Sequence, residues 1–361
     1  MVYEGKKPKE EKMKHLRISR LTCVLFTVVL AAILCTGTGV SKAMAKEKVS
    51  KLQMQLYTVP GKWDCQWVVP LKFTEFLRKH TNGRVDCSVH PAGELVGPRE
   101  IWTAVSAGTI DAGATLNIYE GGTHPEFSFD FGVVGSIEEY FKVMHAGAID
   151  ILSKQALQEN IRIIGYFPLA EYAAFAMKNE FVKTLEDLKG KKIRSMGPVG
   201  SLFLKYAGAG IVTLPMSEVP AALQTGVVDG IHTGIAGLYA MHLWDVAPYF
   251  TSTKHGCFGF YFLVNEDIYR KFPADVKAGI AAAQRELEQW YPTYDRDMRE
   301  VIVKDTEEKG VKWYFLPPKE DERHRELFSK ATVSWVMGRK PDLGRKLYEV
   351  VEKVTGRKVL K

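Results

Sequence analysis

Two stretches of the chain echo one another. AVSAGTIDAG at Ala104–Gly113 lies over ALQTGVVDGI at Ala222–Ile231, with Gly108 matching Gly226 and Asp111 matching Asp229 at one offset of 118 residues. Each copy reads as the end of a helix, a glycine where the backbone needs a positive φ, and the strand that follows. Helix–glycine–strand is a common unit, and a single match carries little. Two similar sub-folds in series predict a two-lobed α/β architecture. The length of 361 residues suits about two domains.

The segments around the echo support this. KLQMQLY (Lys51–Tyr57) reads as a strand, Asp64–His80 as a helix stopped by Asn82-Gly83, and RVDCSVH as an alternating strand. Pro98 opens the helix that Gly108 closes, and TIDAGATL follows as a strand. KKIRSM (Lys191–Met196), IVTLP and VVDGIHT read as strands separated by helices, which predicts βαβ units with parallel pairing. The first of those helices is expected to start at Ser201, after a glycine loop GPVG. Beyond FGFYFLVNEDIY, Pro273 opens a long helix with Val276, Ile280, Ala283, Leu287 and Trp290 on one stripe, and Pro292 is expected to kink or break it. Val311–Phe315 reads as a late strand, and Glu320–Val336 and Leu343–Val354 as terminal helices.

The net charge of +7 invites a nucleic-acid reading, but its location removes it. Residues 1–45 carry eight Lys/Arg and three Asp/Glu, a net of +5, which leaves 46–361 at +2. That N-terminal segment has a basic stretch, the apolar run Leu21–Cys35 and an Ala43-x-Ala45 site, the plan of a cleaved secretory signal peptide. Fifteen apolar residues span a bilayer poorly, which disfavours an anchor. Leu34 before Cys35 and Thr22 before Cys23 disfavour lipoprotein processing. Cys65, Cys87 and Cys257 remain, an odd number among apolar neighbours, and read as buried free thiols. No CxxC, HExxH or GxSxG motif is present, so neither a metal, a cofactor nor a catalytic nucleophile is expected.

One place suits an anion. Arg194 lies near the end of KKIRSM, followed by Gly197, Gly200 and Ser201 at a helix start. A planar guanidinium fork beside free backbone N–H groups fits a carboxylate or phosphate. The alternative role for Arg194 is a structural ion pair. GPVG is not the dinucleotide fingerprint, so nicotinamide binding is not expected.

DLKGKKIRSMG (Asp187–Gly197) followed by LPMSEVPAALQTGVVDG (Leu214–Gly230) resembles the TRAP-transporter solute-binding proteins of the DctP family. HPAGELVGPREIWTAVSAGTID (His90–Asp111) and HGCFGFYFLVNEDIYRKFPADVK (His255–Lys277) extend the resemblance, which runs from about Leu52 to Leu287. It implies an α/β fold of periplasmic-binding-protein type: two lobes of mixed sheets flanked by helices, with a long helix spanning both. It places residues 46–168 plus about 259–296 in the first lobe, and 169–258 plus about 297–361 in the second. It implies a periplasmic receptor that binds a small organic acid between the lobes. The acid would pass to the small and large membrane subunits of a permease driven by an ion gradient. In that family the Arg of DLKGxKxR clamps the ligand carboxylate, which falls here on Arg194. Ile231, His232 and Thr233 after VDG, and first-lobe loops around Trp63, Asn117 and Tyr119, would face the cleft.

The sequence also departs from the family pattern. Pro220 replaces an aromatic residue, IHT replaces acidic and amide residues after VDG, and Ala174 stands where many members carry a second basic residue. Direct transfer of a C4-dicarboxylate or a sialic acid is therefore not supported. Trp63, Tyr119, Tyr172 and Trp244 could wall an apolar pocket, which points to a monocarboxylate with an uncharged remainder. The other function class is a secreted hydrolase or lyase anchored by Arg194, with His232 or Glu171 as acid/base. The absence of a nucleophile motif or metal set favours the binder.

Overall fold

The computed structural model describes residues 49–58, 60–169, 173–254 and 256–360. The expected signal segment, with Cys23, Cys35 and its cleavage site, lies outside the described residues, as do Glu171 and Tyr172. The strands are β1 (Ser50–Leu56), β2 (Val85–His90), β3 (Ala112–Leu116), β4 (Ile161–Leu169), β5 (Ala173–Met177) and β6 (Lys192–Arg194). They continue as β7 (Gly210–Val212), β8 (Gly230–Gly234), β9 (Tyr249–Thr253), β10 (Phe258–Asn265) and β11 (Lys312–Phe315). The helices of the first half are α1 (Cys65–His80), α2 (Ile101–Ala107), α3 (Asn117–Glu120), α4 (Ile137–Val143) and α5 (Ile149–Gln158). Then come α6 (Gly197–Tyr206), α7 (Val219–Thr225), α8 (Ile235–Ala240), α9 (Glu266–Arg270), α10 (Ala274–Glu308), α11 (Pro318–Met337) and α12 (Pro341–Thr355).

Two mixed sheets result. The first has the order β2-β1-β3-β10-β4 and the second β11-β9-β5-β8-β6-β7. The expected parallel pairing holds for β1 with β2 and β3, and for β6 with β7 and β8. It fails for β10 and β5, which run antiparallel to both of their neighbours. The echo is structural. Gly108 and Gly226 close α2 and α7 in the left-handed conformation, at φ 71° and 78°. The Asp111 carboxylate then accepts from Gln53 N–H at 2.9 Å, and Asp229 from Lys192 N–H at 2.8 Å. Their carbonyls accept from Asn265 N–H at 3.0 Å and Lys178 N–H at 3.2 Å, so each copy is stitched to an antiparallel neighbour in the same way. Both aspartates shape their turns.

Aromatic side chains fill the first core. Phe73 stacks on Phe262 at 4.2 Å and Phe167 on Phe260 at 4.6 Å, each fully buried phenyl contributing about 1.5–3 kcal/mol. Cys65, Cys87 and Cys257 are buried free thiols, and burial pushes the Cys87 thiol up to about 12.

Helix α10 packs on α1 and β4 of the first sheet and on α8 beside the second, which joins the two lobes. Its stripe Val276, Ile280, Ala283 and Leu287 is buried, and Gly279 lets the helix approach the His80 carbonyl. The break expected at Pro292 does not occur, because the ring lies on the exposed side of a helix held along its other face. Helix α12 packs on α11 and also against α4 and α5, and Arg357 donates to the Val133 carbonyl at 2.8 Å.

Candidate functional site

Strand direction sets the geometry. β1, β2 and β3 share one carboxyl edge, and the antiparallel β10 starts at it while β4 ends there. In the second sheet β6, β8 and β9 end at one edge, where the antiparallel β5 starts. The chain crosses three times between the sheets: from the end of β4 to the start of β5, from the end of β9 to the start of β10, and from β10 through α9 and α10 to β11. The first two crossings are short and join carboxyl edge to carboxyl edge, so the two edges face each other. Ligands of α/β sheets bind outside such edges. Helix α3, which follows β3, touches α6, which follows β6.

Arg194 is the last residue of β6, in register with Val212 and Ile231. Its Nε donates to the Leu214 carbonyl at 3.2 Å, which fixes the guanidinium plane and leaves its terminal nitrogens available. It forms no ion pair among the described residues, so the alternative of a structural pair finds no partner there. The side chain is half-buried, and burial holds the guanidinium below its ordinary pKa, with the Tyr119 hydroxyl beside it acting in the opposite sense. A cation withdrawn from water without a counter-ion carries an uncompensated desolvation cost.

The helix after β6 starts earlier than the expected Ser201. Gly197 adopts φ 66° and begins α6, with Pro198 pre-set for its first turn. The orphan N–H groups are therefore those of the turn before Ser201, and not those after Gly200. Ser201 Oγ donates to the Gly197 carbonyl at 3.0 Å and lies 2.7 Å from Ser195 Oγ.

The facing wall is aromatic. Tyr119 of α3 packs on Tyr57 at 4.9 Å, and Tyr57 on Phe260 at 5.8 Å. The Tyr57 hydroxyl donates to Gln66, and Thr58 Oγ1 donates to Asp64 Oδ2 at 2.9 Å while Asp64 caps α1. Trp63 is half-buried, with the Lys62 ammonium 5.0 Å from its ring centroid. Asn117 is fully buried, and its Nδ2 donates to Asp130 Oδ1 at 3.0 Å. Burial raises the Asp130 carboxyl well above the usual range, and it pushes Glu120, which accepts from Thr115 Oγ1, up to about 7.

Arg194, Gly197, Ser201, Asn117 and Tyr119 therefore come from elements that meet across the edges. His232 does not join them at the surface: it is fully buried and stacks on Phe175 at 4.5 Å, on the face of β8 opposite Ile231. Thr233 is half-buried opposite Ala174. Trp244 stacks on His242 at 4.7 Å, with the Lys309 ammonium 5.4 Å away. Three residues escaped the sequence reading. Tyr57 walls the edge, Arg99 lies near Tyr119, and the buried Gln55 ties the loop after β2 to β1. For Gln55 the one available signal was a polar residue inside the first strand.

Residues 68–335 match the family described as bacterial extracellular solute-binding protein, family 7, DctP. The chain is 27% identical over 224 residues to a solute-binding protein of Albidiferax ferrireducens, an alignment covering 60% of this chain and 65% of that protein. It thus spans just under two-thirds of that relative's length. It is 27% identical over 244 residues to the C4-dicarboxylate-binding periplasmic protein DctP of Rhodobacter capsulatus, covering 66% and 70% of the two chains. In fold it is similar to DctP7, a Bordetella pertussis extracytoplasmic solute receptor binding pyroglutamic acid. The TM-score is 0.73 at 20% identity, over 84% of this chain and 100% of that one. With the match running from α1 into α11, this two-lobed chain belongs to the DctP family of bacterial extracellular solute-binding proteins.

Proposed function

We propose that the chain is a periplasmic receptor that closes on one small monocarboxylate between its sheets and delivers it to a TRAP permease in the membrane. The observation that carries this reading is Arg194, half-buried, held by Leu214 and without a counter-ion among the described residues, facing Tyr119 from the other sheet. Its free terminal nitrogens suit a bidentate carboxylate. Gly197 and Ser201 would line the same end, and Tyr57, Tyr119 and Trp63 would cover an uncharged remainder. Asn117 would act through the shape of α3, and His232 through the packing beneath Thr233.

The restriction to one carboxylate rests on Ala174, fully buried in β5 where many relatives carry a basic residue. A second carboxylate placed there would lose water without gaining a cation, which costs several kcal/mol. The pyroglutamate named for DctP7 has the proposed chemistry, one carboxylate on a neutral ring. The two sheets define the moving bodies, hinged near Phe167–Glu171, of which residues 170–171 lie outside the described residues, and near Cys257–Phe260. Export through the segment 1–45 would start the mature chain near Lys46, and intact mass of the exported protein tests this.

Mass spectrometry of solute carried through native purification tests the function. A carboxylic acid recovered unchanged is the expected result, and small-angle scattering should show the protein compacting when that acid is restored. An unchanged radius of gyration at saturation contradicts closure.

A further inference from the structure

The loop between β2 and α2 stands at the carboxyl edge of the first sheet and is unusually well tied down. Gln55, fully buried in β1, donates through Nε2 to the Pro91 carbonyl at 2.6 Å and accepts at Oε1 from Leu95 N–H at 2.8 Å. Ala92 N–H bonds to the Thr58 carbonyl at 2.8 Å, which fastens the loop to the segment that follows β1. Its acidic residues are engaged within the loop. Glu94 pairs with His90 Nδ1 at 2.8 Å, and Glu100 accepts from Gly97 N–H at 2.9 Å. Arg99 is exposed and has no hydrogen bond or ion pair among the described residues.

Burial raises the Tyr119 hydroxyl, and two guanidiniums pull it back, Arg194 first and Arg99 second. Tyr119 therefore stands in the field of one cation from each side of the cleft. The two differ in burial. An exposed charge is screened by water and adds little to a finished complex, but it bends the path of an approaching anion. A half-buried one holds what has arrived.

We propose that Arg99 is the capture residue of the receptor, drawing the solute's carboxylate into the open cleft before Arg194 takes it. The inference rests on the receptor reading above and adds a division of labour: Arg99 governs association and Arg194 dissociation. Small anions are its substrates as a class, and neutral solutes gain nothing from it.

Stopped-flow tryptophan fluorescence with pyroglutamate, lactate and pyruvate as probes separates the two roles. In Arg99→Ala the association rate constant is expected to fall roughly threefold to tenfold at low salt. The difference should vanish in about 0.5 M salt, where the screening length is about 4 Å. The dissociation rate should stay within about twofold of the parent, and Arg99→Lys should restore capture, because steering needs charge and not a planar fork. Arg194→Ala should instead speed dissociation. An Arg99→Ala association rate equal to the parent at low salt overturns the capture role alone. So does a loss that persists in high salt or appears in dissociation. Failure of the unmodified protein to bind any of the three acids overturns the receptor reading and this inference with it.

Discussion

The imidazole of His232 lies on the ring of Phe175, centroids 4.5 Å apart and planes inclined by 28°. The pair sits directly opposite in the antiparallel β5–β8 register, so side chains of neighbouring residues point to the other face. Ile231 and Thr233 therefore share a face with Ala174 and Arg194, while His232 belongs to the packing with Phe203 and Phe328.

That burial has a consequence in acid. Desolvation first, then His324 and Arg194, lower the His232 pKa to about 3 from the ordinary 6.5. The unfolded chain takes up this proton near 6.5 and the folded chain only near 3, so stability is complete above 6.5 and declines as pH falls between those values. The slope approaches about 1.4 kcal/mol per pH unit for this one group. His324 is shifted in the same direction, also by burial, and adds to it. Urea unfolding at pH 7.5 and pH 5 should show His232→Phe losing less stability in acid than the parent; equal losses contradict the assignment.

Removing the Arg194 charge should not weaken the empty protein. A half-buried guanidinium without an anion is a burden on the fold, as the lowering of its pKa by burial indicates. Arg194→Met should unfold at the same or a higher temperature without solute, and added pyroglutamate should no longer raise that temperature. A large drop in the solute-free melting temperature would mean the residue is structural.

Gly279 tests the seating of the long helix. A Cβ there would strike the His80 carbonyl and approach Thr81 Cγ2 to 3.0 Å. On a free helix surface Gly→Ala gains up to about 1 kcal/mol, whereas overpacking loses about 1–3 kcal/mol. Denaturant melts of Gly279→Ala should therefore show a loss, and a gain would mean α10 stands away from α1.

Gln55→Leu keeps the volume and removes the bonds to the Pro91 carbonyl and Leu95 N–H. Leaving such partners unmet costs about 1–3 kcal/mol. Hydrogen exchange should speed up at Leu95 and Val96, and unchanged exchange there would show that the loop does not depend on Gln55.

Much of this was legible in the sequence where the cause is local. Gly108 and Gly226 announced their helix ends because a left-handed residue is needed there, and the echo of Asp111 and Asp229 foretold equal turns. Arg194 stood out because a strand end, glycines and a helix start adjoin in the chain. What escaped depends on partners far along the chain. Gln55 sits at a position that is outward by alternation, and is buried because a loop some forty residues later folds over it. Pro292 signals a break, but the packing of the opposite face of α10 holds the helix through it. GPVG reads as a loop until Gly197 takes a positive φ and lets the helix start at once.

The central claim, a single carboxylate clamped by Arg194, is tested most directly by titration calorimetry of the parent and Arg194→Lys with pyroglutamate and succinate. The parent should bind the monocarboxylate more tightly than the diacid. Arg194→Lys should lose at least about tenfold, or about 1.4 kcal/mol, although the charge is kept, because lysine cannot present two parallel N–H donors. Tighter binding of succinate by the parent, or full affinity in Arg194→Lys, would contradict the account.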